Sequence, residues 1–251
     1  MKKGCVMKKE SSKLYTEDEY KKVKELWEVF KCDIKYKNRF FSDNSVIKIL
    51  NKLKTTKDTD RRPGDNIMVG LNGRLELYRA RIGDFKNRDD KEMLGPPKEI
   101  VKQGRCNAEG VVYIYSANNY ETAIYEVKPS KGDIVTVATL STDSKYLFSF
   151  ETQSKIKNFL NISPIKDSEL EALVDIINDD LSTVVTNDNK LEYIPFQFIT
   201  EYVKKRGFDG FLFKSSLVNG INYVLFNYED VIVEEKKLYI IEDVKYDIKD
   251  I

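Results

Sequence analysis

Residues 104–127, GRCNAEGVVYIYSANNYETAIYEV, hold an arginine, a tyrosine and two carboxylates within one short stretch. Gly104-Arg105-Cys106-Asn107 reads as a basic turn, and Val111-Val112-Tyr113-Ile114-Tyr115 as a strand with alternate side chains on opposite faces. Ser116, Asn118 and Asn119 break that strand. Glu121–Val127 then reads as a short helix or turn, with Glu126 eleven residues after Tyr115. The chemistry open to such a set is driven by charge. An arginine fork grips an oxyanion through two charge-assisted bonds. A tyrosine offers a ring face and a hydroxyl. A carboxylate accepts hydrogen bonds and stabilises positive charge developing beside it.

The rest of the composition narrows the options. The 251 residues contain no histidine, which removes Ser-His-Asp and Cys-His dyads, histidine bases and histidine metal ligands. Acid–base work must fall to Glu, Asp, Tyr, Lys or Cys. Cys5, Cys32 and Cys106 are odd in number and widely spaced, so they form neither a zinc knuckle nor a disulfide framework, and a reducing compartment fits best. There is no glycine-rich Rossmann or Walker fingerprint, so phosphate binding must fall to arginine side chains. With 42 basic and 41 acidic residues the formal charge is +1, which gives no global attraction for nucleic acid or an anionic membrane. The basic N-terminus MKKGCVMKKESSK lacks the apolar run of a signal peptide. No stretch approaches the roughly 20 apolar residues of a membrane helix. A soluble, cytoplasmic protein is expected, with no direct contact to nucleic acid or membrane.

The elements that must position these residues follow from periodicity. Residues 1–13 are basic and expected to fray. Thr16-Glu17-Asp18-Glu19 is a capping box, and Tyr20, Val23, Leu26, Trp27 and Phe30 recur at helical spacing, predicting an amphipathic helix ending near Lys31. A second short helix is expected at 46–53, and 54–66 reads as a polar linker. Residues 1–66 are thus read as a helical extension, docked by its apolar face over the remainder or against a second subunit in a homo-oligomer. Residues 67–251 are read as one domain. In it Leu75–Ile82 alternates as a strand, 83–103 is a long loop, and Gly132–Leu140 is another strand. Helices are expected at 165–181 and 195–206. Phe208–Ser216 is a strand entering a serine turn, Asn222–Phe226 is its return, and 231–241 is a terminal hairpin. The sum is an α+β fold with a helical N-terminal extension.

Several of these pieces, taken in order, resemble the RES domain family, named for an Arg-Glu-Ser set. They are Tyr78-Arg79-Ala80-Arg81, Gly95-Pro96-Pro97, Gly104-Arg105-Cys106-Asn107, Tyr115 to Glu126-Val127, Gln197, Gly207-Phe208-Asp209-Gly210, Ser215-Ser216 and Asn222-Tyr223-Val224-Leu225-Phe226. The resemblance covers roughly residues 74–232, the size of one domain. It implies an ADP-ribosyltransferase-like central β-sheet with flanking helices, and an enzyme that takes NAD+ as substrate, with no separate cofactor or metal. It also implies a toxin paired with a helix-turn-helix, Xre-type antitoxin. By the same resemblance Arg79 and Arg105 hold the pyrophosphate, Tyr115 belongs to the nicotinamide pocket, and Glu126, Arg79 and Ser215 are catalytic. Ser215 and Asn222 join the binding set. Cys106 stands where the family often has tryptophan or alanine, and Lys214 where it often has proline.

These residue types suit cleavage of the nicotinamide–ribose bond. That reaction passes through an oxocarbenium-like state, as glycoside hydrolysis does, and a carboxylate near the ribose stabilises it. Glu121 is the rival of Glu126. On a helix the two lie about 140° apart, so one should face inward. Ser216 is the rival of Ser215 for the same reason of alternation. Three functions remain on the table. The first is an NAD+ glycohydrolase or phosphorylase acting as a toxin by depletion. The second is an ADP-ribosyltransferase that modifies a protein or nucleic acid. The third is a catalytically silent module that binds a nucleotide or partner.

Overall fold

The computed structural model describes residues 13–53, 68–71, 74–143, 145–151, 165–183 and 190–245. Of the residues 1–13 expected to fray, only Lys13 is described, and it pairs with Asp175 at 3.8 Å; the rest, and the 54–66 linker, lie outside that set. Helix α1 (Glu17–Tyr36) starts at the capping box. The Thr16 hydroxyl accepts from the Glu19 N–H at 3.2 Å, and the Glu19 carboxylate accepts from the Thr16 N–H at 2.7 Å. The helix runs past its expected end near Lys31 because Ile34 continues the apolar face. Val23, Trp27, Phe30 and Ile34 are all fully buried. Helix α2 (Ser45–Leu50) follows, capped by the Asn44 side chain.

Among the described residues, eight strands form one mixed sheet. They are β1 (Met68–Leu71), β2 (Leu75–Ile82), β3 (Ile114–Ala117), β4 (Ile134–Thr142), β5 (Lys145–Ser149), β6 (Gly210–Lys214), β7 (Ile221–Leu225) and β8 (Ile232–Ile240). Their order across the sheet is β1-β5-β6-β7-β3-β2-β4-β8, and β5–β6 is the parallel pair. The remaining helices are α3 (Lys91–Leu94), α4 (Tyr120–Glu126), α5 (Ser168–Leu181) and α6 (Ile194–Lys205). The α+β reading of the sequence therefore holds.

Three local expectations change. The strand read at 111–115 lies at 114–117, because its partner sets its register: Ile114 pairs with Leu225, and Ala117 with Asn222. Ser116 is inside that strand and buried, not a break in it. The terminal hairpin is instead one continuous strand, β8, laid along β4 with a bulge at Thr139/Leu140. Its Glu-Glu-Lys-Lys run resembles a turn, but an edge strand carries such charges without cost and is protected by them against pairing with other chains. The long 83–103 loop contains α3 and a short 3₁₀ turn at Lys98–Ile100.

Alternation divides the sheet into two faces. Phe211, Phe213, Val224 and Phe226 share one buried cluster with Val23, Trp27 and Phe30 of α1 and with the apolar faces of α5 and α6. Leu212, Tyr223 and Leu225 face the other way, against Met93 of α3. The N-terminal helices are therefore built into the same core as the strands. Trp27 stacks on Phe30 at 5.3 Å and donates its indole N–H to Asp180 of α5 at 2.7 Å. Lys31 adds a 2.9 Å ion pair to the same carboxylate. Among the described residues no helix is long and apolar enough to cross a membrane.

Candidate active site

The cleft opens where the sheet parts. Strands β2 and β3 share one residue pair, Tyr78 with Ala117. Beyond it the strands separate, and Arg79 donates from Nη1 to the Tyr115 carbonyl at 2.7 Å across the gap. An intact pleat sends successive side chains to opposite faces. Here Tyr78 and Arg79 of β2, Ser116 and Ala117 of β3, and Asn222 and Tyr223 of β7 all line one cleft of about 340 Å³, at the place where β2 and β3 part.

Glu126 reaches the cleft from the end of α4. Asn119 caps the start of this helix, accepting from the Thr122 N–H at 2.8 Å. A carboxylate at a helix C-terminus is poorly placed for the helix dipole. Two donors offset this. Ser215 donates from Oγ to Glu126 Oε1 at 2.7 Å, and Asn222 donates from Nδ2 to the same oxygen at 2.7 Å. Glu126 Oε2 accepts no hydrogen bond among the described residues. The direction of the Ser215 bond is set by its surroundings. Its oxygen accepts from the backbone N–H groups of Leu217 and Val218, leaving its single proton for the glutamate. Gly220 closes this loop against α4, where any side chain would overlap Thr122. Glu121 is also exposed, but it does not line the cleft, and among the described residues it accepts only from the Tyr120 hydroxyl, at 3.4 Å. Ser215 is buried behind the glutamate, while Ser216 is exposed and lines the cleft itself.

Arg105 sits on a turn held from three sides. Gln197 of α6 donates to the carbonyls of Gly104 and Asn107 at 2.9 and 3.1 Å. The Tyr115 hydroxyl donates to Asn107 Oδ1 at 2.8 Å and accepts from the Cys106 N–H at 3.1 Å. A side chain at Gly104 would collide with Asn107 and the Tyr115 hydroxyl. Tyr115 therefore gives its ring to the cleft and its hydroxyl to the turn, and burial pushes that hydroxyl's pKa well above its ordinary value. The Arg105 guanidinium donates to the carbonyls of Leu181 and Thr183, closing the C-terminal end of α5. Cys106 is buried beside it, and burial raises its thiol to about 12, leaving it an inert packing residue.

Arg79, Arg105, Tyr115, Glu126 and Asn222 thus line one cleft, with Ser215 bonded to its carboxylate. Three polar atoms of its lining are buried without a hydrogen-bond partner: Arg79 Nε, Ser116 Oγ and Asn222 Oδ1. Such an orphan costs about 1–3 kcal/mol, which a ligand with complementary groups would recover. The lining carries three cations, Arg79, Arg105 and Lys128, against one carboxylate, Glu126, a local net charge of +2. Burial, with the nearby charge of Arg81 second, lowers the Arg79 guanidinium to about 10. The cleft is thus a polar, cationic slot with one ionisable acid on its rim.

A family model for the RES domain matches residues 76–247. The chain belongs to the RES domain family. No curated protein matches it. Among solved structures, a chain of the crystal structure of the M. tuberculosis MbcT–MbcA toxin–antitoxin complex is similar to it, with a TM-score of 0.46 and 13% identity, covering 69% of this chain and 87% of that chain. Within this RES domain, sequence reasoning missed Tyr78, Ser116, Lys128 and Tyr223 as cleft residues. Tyr78 and Tyr223 stand inside pieces that carry the resemblance, beside Arg79 and Asn222, but their residue type alone gives no role among the chain's 15 tyrosines. Ser116 was hidden by the misplaced strand boundary.

Proposed function

We propose that this RES protein degrades NAD+ by cleaving the nicotinamide–ribose bond, with water or inorganic phosphate as acceptor. The observation that carries this reading is the Glu126 carboxylate, held by two donors on one oxygen and left open to the cleft on the other. A carboxylate so fixed can accept from a ribose hydroxyl and stabilise an oxocarbenium-like ribose without reorganising. The net charge of +2 matches the two charges of a pyrophosphate. The residues that line the cleft also hold an unpartnered donor, Arg79 Nε, an unpartnered acceptor, Asn222 Oδ1, and an unpartnered hydroxyl, Ser116 Oγ. The Tyr115 ring offers the nicotinamide a stacking face. Membership of the RES family supports a role as a toxin that depletes NAD+ and is restrained by an antitoxin of the helix-turn-helix, Xre type.

The test is purified protein with NAD+, followed by identification of products. Free nicotinamide with ADP-ribose or its phosphorylated form is expected. Label retained on a macromolecule would instead mean ADP-ribosyl transfer. Glu126→Gln is expected to lose two to three powers of ten in turnover, the scale for removing one preorganised electrostatic group. Glu121→Gln serves as the control and stays active. Full turnover by the Glu126 variant would remove the assigned carboxylate.

A further inference from the structure

Lys128 is the one non-glycine with a positive φ among the described residues, at 48°. It stands just past the end of α4, where its N–H donates to the Tyr125 carbonyl at 3.1 Å and closes the helix. Left-handed closure of this kind normally falls to glycine, because a Cβ is strained there. Among the described residues the other positive φ values fall on glycines, Gly83, Gly110, Gly132 and Gly207, and Gly207 stands just past the end of α6. At 128 the chain keeps a residue with a long cationic side chain in the strained position, and that residue lines the cleft.

The other two cations of the cleft are engaged by the protein. Arg79 gives Nη1 to the Tyr115 carbonyl, and Arg105 gives both terminal nitrogens to Leu181 and Thr183. Lys128 makes no side-chain hydrogen bond or ion pair among the described residues. All three of its ammonium donors are free, on a flexible stem that suits a phosphate oxygen. It follows Glu126 by two positions at the same end of α4, and both residues line the cleft.

We propose that Lys128 is a phosphate-binding residue of the cleft, gripping the pyrophosphate of the dinucleotide. This rests on the reading of the cleft as an NAD+ site. The lysine is a binding group, not a catalytic one, so it acts on affinity.

Lys128→Asn and Lys128→Gly test this, since both tolerate the left-handed backbone and remove the charge. Each is expected to raise the KM for NAD+ roughly tenfold to a hundredfold with kcat little changed, the loss of one charge-assisted bond. Each is also expected to melt at or above the wild-type temperature, because strain is relieved. Lys128→Arg should restore most of the affinity. A solvated surface lysine would give the same thermal result with an unchanged KM, and that outcome would overturn the proposal while leaving the NAD+ reading intact. If the wild type does not turn over NAD+, calorimetry with inorganic pyrophosphate decides instead. Weaker binding by Lys128→Asn than by wild type would uphold the assignment, and equal binding would remove it.

Discussion

Ser215 and Glu126, 89 positions apart in sequence, are joined by a 2.7 Å hydrogen bond in which the serine gives its only proton to the carboxylate. The glutamate ends α4 and the serine follows β6, so the bond ties a helix to the far side of the parted sheet. Asn222, from β7, donates to the same oxygen. The carboxylate is thereby aimed by two different strand ends.

This arrangement makes the two donors positioning groups for the glutamate. Ser215→Ala and Asn222→Ala are each expected to lower NAD+ turnover about ten- to a hundredfold, the range for losing one bond to a charged group. The double variant should fall short of the product of the two effects, because both donors act through one oxygen. Turnover of the three variants, with circular dichroism to verify folding, provides the check. Wild-type turnover in both single variants would show that Glu126 needs no such aiming.

The N-terminal helices contribute to the site by holding α5. Trp27 is fully buried, stacks on Phe30, and bonds Asp180 one residue before Leu181, whose carbonyl receives Arg105. Trp27→Ala is expected to cost about 3–5 kcal/mol of stability through the cavity it leaves. Trp27→Phe keeps a ring and loses the N–H. Since Lys31 still pairs with Asp180, that variant should lose nearer to 1 kcal/mol beyond its volume change. Urea unfolding of both variants measures the difference. A Trp27→Ala protein as stable as wild type would mean that α1 is only an attachment.

Much of this was legible in the residues themselves. The capping box at Thr16, the alternation of Leu75–Ile82 and the serine turn after Phe213 each carry a local signal. The burial of Val23, Trp27 and Phe30 follows from their spacing alone. What was not legible depends on partners. β1 and β5 are short strands defined by their neighbours, β1 by β5 and β5 by β1 and β6, and the register of β3 is dictated by β7. The parting of β2 from β3 leaves no mark in either strand's sequence, yet Arg79 and Ser116 line one cleft at that place. The expectation that Glu121 and Glu126 would divide into an outer and an inner residue was too simple. Both are exposed, and what separates them is that Glu126 lines the cleft and accepts from Ser215 and Asn222, while Glu121 does neither.

Arg79 bears on both stability and binding, and the two can be separated. Its guanidinium spans the parted seam with one bond to the Tyr115 carbonyl and an orphaned Nε. Burial lowers it to about 10, so the fold disfavours the cation. For a base whose folded value lies below its unfolded one, the cost is present in full at neutral pH. It lifts only as pH rises from about 10 toward the ordinary 12.5. An anion in the cleft would lift it at neutral pH instead. Arg79→Met is therefore expected to melt, without ligand, at or slightly above the wild-type temperature. ADP-ribose at about 100 times its Kd should raise the wild-type Tm by roughly 5–10 °C, from about 2.7 kcal/mol of linkage. That shift should vanish in Arg79→Met and survive in part in Arg79→Lys, which keeps the charge but loses the fork. Thermal melts at pH 7 with and without ADP-ribose read the wild type and both variants. A full shift in Arg79→Met would mean that the arginine braces the seam and takes no part in binding.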